Sequence, residues 1–121
     1  MKILLVIIGS GLGGGMRFWI SSLLQKIFPV YFPIGTLAVN FLGSLILGII
    51  IFAFDEKLLI DWKLRFLLGV GFCGGLTTFS TFSLETFNLF KDAEFFLAGL
   101  NILLNVSITL VGVYIGYLIS R

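Results

Sequence analysis

The sequence predicts an all-α membrane protein with four transmembrane helices. Of its 121 residues, 59% are hydrophobic and only 12% are charged, whereas a soluble domain is about 45–50% apolar and about 25% charged. Its mean hydropathy is +1.16, and four of its segments approach the length of about 20 apolar residues that a membrane span needs. So few charged residues could not cover the surface of a soluble globular domain.

The gaps between charged residues locate the helices. No charged side chain occurs in residues 27–54, 66–84 or 95–120, and Arg17 alone interrupts the apolar run of residues 3–24. We therefore predict one transmembrane domain over residues 1–121, with helices at about 3–24, 33–54, 65–88 and 95–119. The basic, apolar start also has features of a cleaved signal peptide. Because the segment continues past Arg17 to the length of a span, we expect it to be retained as the first helix.

Turn-forming and charged residues mark the three joints between these helices. Pro29 and Pro33 bracket the first joint, residues 55–57 with Asp61 mark the second, and residues 91–94 mark the third. Proline interrupts helical hydrogen bonding, and charged clusters favour the membrane–water interface.

The distribution of lysine and arginine gives the chain little preference for either orientation. With four spans, one side of the membrane carries Lys2, Lys57, Lys63, Arg65 and Arg121, and the other carries Lys26, Lys91 and, if it reaches that interface, Arg17. This bias normally fixes orientation. Because it is weak here, we expect a dual-topology protein that forms antiparallel homodimers.

The composition also excludes several classes of soluble protein. Histidine is absent and Cys73 is the only cysteine, so one chain has no disulfide framework, no Cys/His zinc site and no Ser-His-Asp triad. The net charge of +2 is too small to indicate nucleic-acid binding. We find no phosphate-binding loop, and the one acidic residue within a predicted span, Glu85, lies toward the end of that span, which favours a passive channel over an enzyme or a pump.

Glycine recurs at four-residue spacing within the predicted helices. The pairs are Gly9/Gly13, Gly11/Gly15, Gly71/Gly75 and Gly112/Gly116. Each pair lies on one helix face, and small residues at this spacing allow helix backbones to approach closely in lipid. We therefore expect helix packing at these positions.

Polar residues follow the same spacing and form two stripes. Thr36, Asn40 and Ser44 make one stripe on the second helix, and Asn101, Asn105 and Thr109 make another on the fourth. An asparagine amide has two donors and a carbonyl that its own helix cannot fully satisfy. The two stripes therefore indicate either contacts between helices or a polar path, and the pattern leaves both open.

The third helix is predicted to be broken in the middle of the membrane. Gly74 and Gly75 are followed closely by Thr77 and Thr78, and glycine and β-branched residues are poor helix formers. A break frees backbone groups, which are tolerated at membrane depth only when they are buried in protein, face water or bind an ion. Five hydroxyl side chains and no charge occur in residues 77–83, which provides dipoles and no fixed-charge filter.

Phe79 and Phe82 are three residues apart and are expected to share a helix face. Phenylalanines in membrane helices commonly face lipid, but these two alternate with Thr78, Ser80 and Thr81. An aromatic ring has a positive edge. Two such edges in a narrow passage could contact a small anion without retaining it.

These segments resemble the CrcB/Fluc family of fluoride channels. The resemblance rests on GFCGGLTTFSTF at residues 71–82, on PIGTLAVNFLGS at residues 33–44, and on a glycine-rich first helix that ends in Arg17, Phe18 and Trp19. The length of the chain, its number of spans and its weak charge bias are also similar to those of the family, so the resemblance covers the whole chain.

The resemblance implies an antiparallel homodimer in the lipid bilayer of the cell membrane. Such a dimer passively exports fluoride and relieves fluoride toxicity. The family's functional residues correspond to Phe79, Phe82 and Asn40 in the fluoride pore, Gly74 and Thr77 as carbonyl ligands of a structural sodium ion, Ser80 and Thr81 as further hydroxyl donors, and Arg17 in a vestibule. Arg17 is equally compatible with an interfacial residue whose side chain extends to water.

Two other functions are compatible with four short helices. A small multidrug exporter needs an intramembrane carboxylate, and Glu85 is the nearest candidate here, although it is predicted close to an interface. A non-transporting accessory subunit would need only the glycine packing. Proton-coupled uptake of a lipophilic cation, lost on Glu85→Gln, would support the first, and failure to pass any ion would support the second.

Overall fold

The computed structural model describes residues 1–121 and contains helices and no strand. We number the helices α1 (Lys2–Ile27), α2 (Ile34–Asp55), α3 (residues 62–76), α4 (Ser80–Lys91) and α5 (Phe95–Ser120). Helices α3 and α4 together make the third of four spans that are long and apolar enough to cross a membrane. The all-α, four-span prediction is confirmed, and each bound lies within about three residues of the predicted one.

Two stretches of these helices are π-helical, which the sequence analysis did not predict. They are Ile50–Asp55 at the end of α2 and Arg65–Cys73 within α3. In a π-helix each N–H bonds to the carbonyl five residues back, so the side chains rotate relative to an α-helix, and such segments are frequent at functional sites. The second stretch directly precedes the point where α3 ends.

Helix α1 packs along α3, and α2 packs along α5. Three of the four glycine pairs lie at these contacts, where a Cβ atom at Gly13 or Gly75 would overlap the backbone of the neighbouring helix. Gly11 and Gly15 differ from the other three pairs, because within one chain no atom of another helix lies within 4 Å of an added Cβ. These two positions are rotated by about 200° from Gly9 and Gly13 and face away from α3.

Hydrogen bonds join the connecting segments at the two ends of the helix bundle. At one end, the Tyr31 hydroxyl donates to the Asp92 carboxylate, and this bond raises the pKa of Tyr31. At the other end, Lys57 Nζ donates to the Ser120 carbonyl oxygen. The first and third connections therefore lie at one end, and the second lies with the C-terminus at the other, as four successive spans require.

Candidate functional site

The helix is interrupted at residues 77–79, between α3 and α4. Thr77 has an extended backbone, with φ −87° and ψ 159°, and helical structure resumes at Ser80. The two glycines and two threonines in this region have low helix propensity, which agrees with an interruption here. We call residues 77–79 the interruption.

The Asn40 side chain of α2 binds the backbone of the interruption on both its donor and acceptor sides. Asn40 Oδ1 accepts a hydrogen bond from the Thr78 N–H at 2.8 Å, and Asn40 Nδ2 donates to the Thr78 carbonyl oxygen at 3.2 Å. The same Nδ2 also donates to Asn105 Oδ1 at 2.9 Å. Both amide hydrogens of Asn40 are therefore engaged within the chain, so donation to a bound ion requires one of these bonds to be exchanged.

Arg17 contacts the segment just before the interruption. Its Nε donates to the Gly75 carbonyl oxygen at 3.0 Å. A cation at this position satisfies a carbonyl and interacts favourably with the negative end of the α3 dipole. The Arg17 guanidinium therefore caps the end of α3. This contact is compatible with both predicted locations of Arg17, the vestibule and the membrane interface.

Two carbonyl oxygens beside the interruption accept no hydrogen bond. The helical donor to Gly74 O would be the Thr78 N–H, which bonds to Asn40, and the donor to Thr77 O would be the Thr81 N–H, which bonds to Thr78 Oγ1 at 3.1 Å. These are the two residues predicted to bind sodium. Carbonyl oxygens freed from a helix suit a hard cation, so the donor set here fits such an ion.

Phe79 and Phe82 lie close together but differ greatly in exposure. Their ring centroids are 5.3 Å apart, with the ring planes at 54°. Phe79 is 78% exposed, whereas Phe82 is 8% exposed and packs within the chain. The two rings are neighbours as predicted, although Phe79 belongs to the interruption and not to a continuous helix.

A groove of about 760 Å³ runs beside the interruption and is lined by 16 residues. Both predicted phenylalanines line it, as do Gly74 and Thr77, and none of the 16 is Asp, Glu, Lys or Arg. The polar side chains on its wall are those of Asn40, Ser44, Thr77, Thr78, Asn105 and Thr109. The groove wall is therefore mostly apolar, carries a few uncharged polar groups and has no fixed charge.

Three of the predicted site residues do not line this groove. Arg17 bonds to α3 as described above, and Ser80 is exposed, with its Oγ 3.3 Å from Thr78 Oγ1. The side chain of Thr81 makes no hydrogen bond, although its N–H bonds to Thr78. Their roles toward an ion stay predictions.

Three further polar residues lie on the groove wall, and none of them was predicted from the sequence as a site residue. Ser44, Asn105 and Thr109 all line it. The four-residue spacing of the two polar stripes was the available signal, and of the two alternatives it left open the contact between helices is confirmed, whereas the polar path stays a prediction. The stripes meet through the Asn40–Asn105 hydrogen bond, and both stripes also contribute to the groove wall.

Glu85 lies in a different, smaller cavity of about 260 Å³. Gln25, Tyr31 and Asn88 also line this cavity, and Glu85 Oε1 is buried without a hydrogen-bond partner. The one acidic residue considered for a proton-coupled exporter is therefore absent from the wall of the main groove.

Four apolar spans, an interrupted helix and an uncharged groove with a few amide and hydroxyl groups on its wall indicate a multi-pass membrane protein of the channel or transporter class. Within that class, the family model described as "CrcB-like protein, Camphor Resistance (CrcB)" matches residues 4–117. The chain therefore belongs to the CrcB family, which confirms the resemblance noted from the sequence.

Several curated relatives share close to half of their residues with this chain. Proteins named "Fluoride-specific ion channel FluC" are 46% identical in Coxiella burnetii (strain CbuK_Q154), 47% in Pyrococcus abyssi and 49% in Thermococcus gammatolerans. The first alignment covers 100% of this chain and 98% of the relative, and the other two cover 98% and 94%. The similarity therefore extends over essentially the full length of this chain and of each relative.

Proposed function

We propose that this chain forms a fluoride-selective channel that passively exports fluoride across the cell membrane and relieves fluoride toxicity. Family membership and the relatives' printed names support the ion and the channel class. The single observation that carries the proposal is the groove, because it combines two phenylalanine rings with amide and hydroxyl groups and has no charged residue on its wall.

This wall suits a small anion that must leave as readily as it enters. Ring edges and polar hydrogens carry partial positive charge, so they can replace part of the water bound to the ion. A lysine or arginine in the same place would hold the anion more strongly. Fluoride, the smallest halide, gains most from donors at close range in a confined space, which provides a basis for selectivity against chloride.

We further propose that two copies assemble as an antiparallel dimer and that the second copy completes the pathway. The weak charge bias supports insertion in both orientations. Phe79 is largely exposed and Gly74 is exposed in one chain. A single chain therefore presents Phe79 and Gly74 on its surface, where a second copy would cover them.

In this dimer, the Gly74 and Thr77 carbonyl oxygens of both copies would hold a structural sodium ion. Sodium supplies positive charge to carbonyl oxygens that have lost their helical donors, and it thereby stabilises the interruption at membrane depth. The support within the chain is that these two oxygens accept no hydrogen bond.

The first prediction concerns selectivity. Purified protein in liposomes loaded with potassium fluoride or potassium chloride, with equal potassium outside and valinomycin to carry the balancing charge, should release fluoride without a gradient of any other ion and should release chloride much more slowly. Liposomes without protein provide the control, and ion-selective electrodes measure both anions. Equal rates for chloride and fluoride would mean that the chain has the family's fold without its selectivity, and release of neither ion would favour an accessory subunit.

The second prediction concerns sodium. Removing sodium, with N-methylglucamine as the replacement cation, should weaken the dimer, because the four carbonyl oxygens would then lack a counter-charge. Cross-linking yield or light scattering in detergent reports the assembly. Ionic strength is held constant, so that unchanged assembly in sodium-free buffer would contradict the Gly74 and Thr77 site.

A further inference from the structure

We propose that Asn101 and Thr86 are positioning residues that set the placement of Phe79 and Phe82 without contacting the ion. This inference rests on the proposed function, because it assigns these residues to the fluoride pathway. The basis is a continuous chain of buried hydrogen bonds that runs from the interruption, through α2, α5 and α4, to the backbone of Phe82. We call it the Asn–Thr chain, and its side chains are those of Asn40, Asn105, Asn101 and Thr86.

Each link of the Asn–Thr chain joins two helices or two turns of one helix. Asn40 Nδ2 donates to Asn105 Oδ1, and Asn105 Nδ2 donates to Asn101 Oδ1, both at 2.9 Å. Asn101 Nδ2 donates to Thr86 Oγ1 at 2.9 Å. The Thr86 hydroxyl then donates to the Phe82 carbonyl oxygen at 2.8 Å. The two ends are therefore Thr78, next to Phe79, and Phe82 itself.

Backbone groups at the two ends fix the direction of every bond in the chain. The Thr78 N–H can only donate, so the Asn40 atom that faces it must be the oxygen, which directs the Asn40 amide nitrogen toward Asn105. At the other end, the Phe82 carbonyl can only accept, so the Thr86 hydroxyl must donate to it and accept from Asn101. Removing the Thr86 hydroxyl leaves Asn101 Nδ2 without a partner and allows the Asn101 amide to reorient, whereas Asn40 keeps its bonds to the Thr78 backbone and Asn105 Nδ2 keeps its bond to the Asn101 carbonyl oxygen.

The location of Asn101 and Thr86 separates this role from ion contact. Asn101 is 1% exposed and Thr86 is 7% exposed. Neither residue lines the groove, whereas Asn40, Asn105 and Phe82 all do. An effect of Asn101 or Thr86 on transport must therefore pass through the residues that they hold. If the polarity of the groove wall alone controlled the ion, substitutions of Asn101 or Thr86 would not change fluoride transport.

The transport test uses isosteric variants of these buried residues in proteoliposomes. Thr86→Val removes the hydroxyl but keeps the shape, and it should lower fluoride efflux on the order of tenfold. Thr86→Ser retains the donor and should restore most of the efflux. Asn101→Leu should resemble Thr86→Val, whereas Ser107→Ala, an exposed position on the same helix, should leave efflux unchanged.

Two outcomes of the transport test would overturn the proposal. One is that Thr86→Val and Thr86→Ser transport fluoride equally. The other is that Thr109→Val, which removes a hydroxyl from the groove wall, lowers efflux more than Asn101→Leu, because wall polarity would then dominate. Size-exclusion chromatography of each variant establishes that the protein remains folded. Thr86→Val alone decides the result if Asn101→Leu does not fold.

A spectroscopic test is independent of transport. Site-specific 4-fluorophenylalanine at position 82 in the purified protein reports the ring environment by ¹⁹F NMR. Its resonance should shift or broaden in Thr86→Val and should be unchanged in Thr86→Ser and Ser107→Ala. An unchanged resonance in Thr86→Val would overturn the positioning role. Because this readout needs no ion flux, it distinguishes failure of the inference from failure of the proposed channel function.

Discussion

Phe82→Ile is expected to reduce fluoride efflux on the order of tenfold or more, because it removes the polarised ring edge from the groove wall and keeps an apolar side chain. Phe79→Ile should have a similar effect on efflux. Phe82 is buried within one chain, so Phe82→Ile should also lower the temperature of unfolding. Efflux from proteoliposomes and thermal unfolding in detergent measure the two effects separately.

Phe87→Ile provides the matched control for this prediction. Phe87 lies on the same helix α4, is 63% exposed and does not line the groove. The Phe87→Ile variant should therefore transport fluoride at the rate of the unchanged protein. If Phe87→Ile and Phe82→Ile reduce efflux equally, the effect comes from a general loss of aromatic side chains on α4, and the pair of rings in the groove has no special role.

The sequence predicted the helices well because lipid imposes a simple requirement on each of them. A span must be apolar over about 20 residues and must satisfy its own backbone groups, so charge-free runs locate it directly. The same physics predicted an interruption near Gly74 and Gly75, since these glycines and the following threonines form helix poorly. Both predictions depend on neighbouring residues in the chain and need no knowledge of the tertiary packing.

The contacts that hold the interruption could not be predicted in the same way. Spacing placed Asn40 and Asn105 on polar stripes, but it did not give the rotation of either helix or the partner of either amide. In the structure, the Asn40 amide is directed at the Thr78 backbone and Arg17 caps Gly75. Such partners depend on helix rotations that arise from the packing of the whole bundle, including the π-helical segment of α3.

The glycines illustrate the same limit. Four-residue spacing alone gives Gly11 and Gly15 the same expectation as Gly9 and Gly13. The two faces of α1 differ only in their position relative to α3. The backbone of α3 lies against Gly9 and Gly13 and not against Gly11 and Gly15. The pattern therefore predicts that a helix face can approach another helix closely, whereas the fold decides which face does so.

The second large effect is expected from Gly13→Ala, with Gly15→Ala as its matched control on the same helix. A Cβ atom at Gly13 would lie 2.8 Å from the Leu76 backbone nitrogen and would overlap the Phe72 carbonyl oxygen, whereas one at Gly15 would meet nothing within 4 Å. Ordinary overpacking costs about 1–3 kcal/mol. We expect Gly13→Ala to reach or exceed the upper end of that range, because backbone atoms cannot move aside as a flexible side chain can.

This substitution should also impair transport, because the contacts of Gly13 lie close to the interruption. Displacing Phe72 and Leu76 shifts the end of α3, where the Gly74 carbonyl and the Arg17 cap are located. Gly13→Ala should therefore lower both the unfolding temperature in detergent and the fluoride efflux of the protein that remains folded. Gly15→Ala should match or slightly exceed the unchanged protein in stability, since alanine favours helix over glycine by about 1 kcal/mol. Equal stability of the two variants would show that α1 and α3 do not approach at Gly13, and the placement of α1 against the interruption would then be wrong.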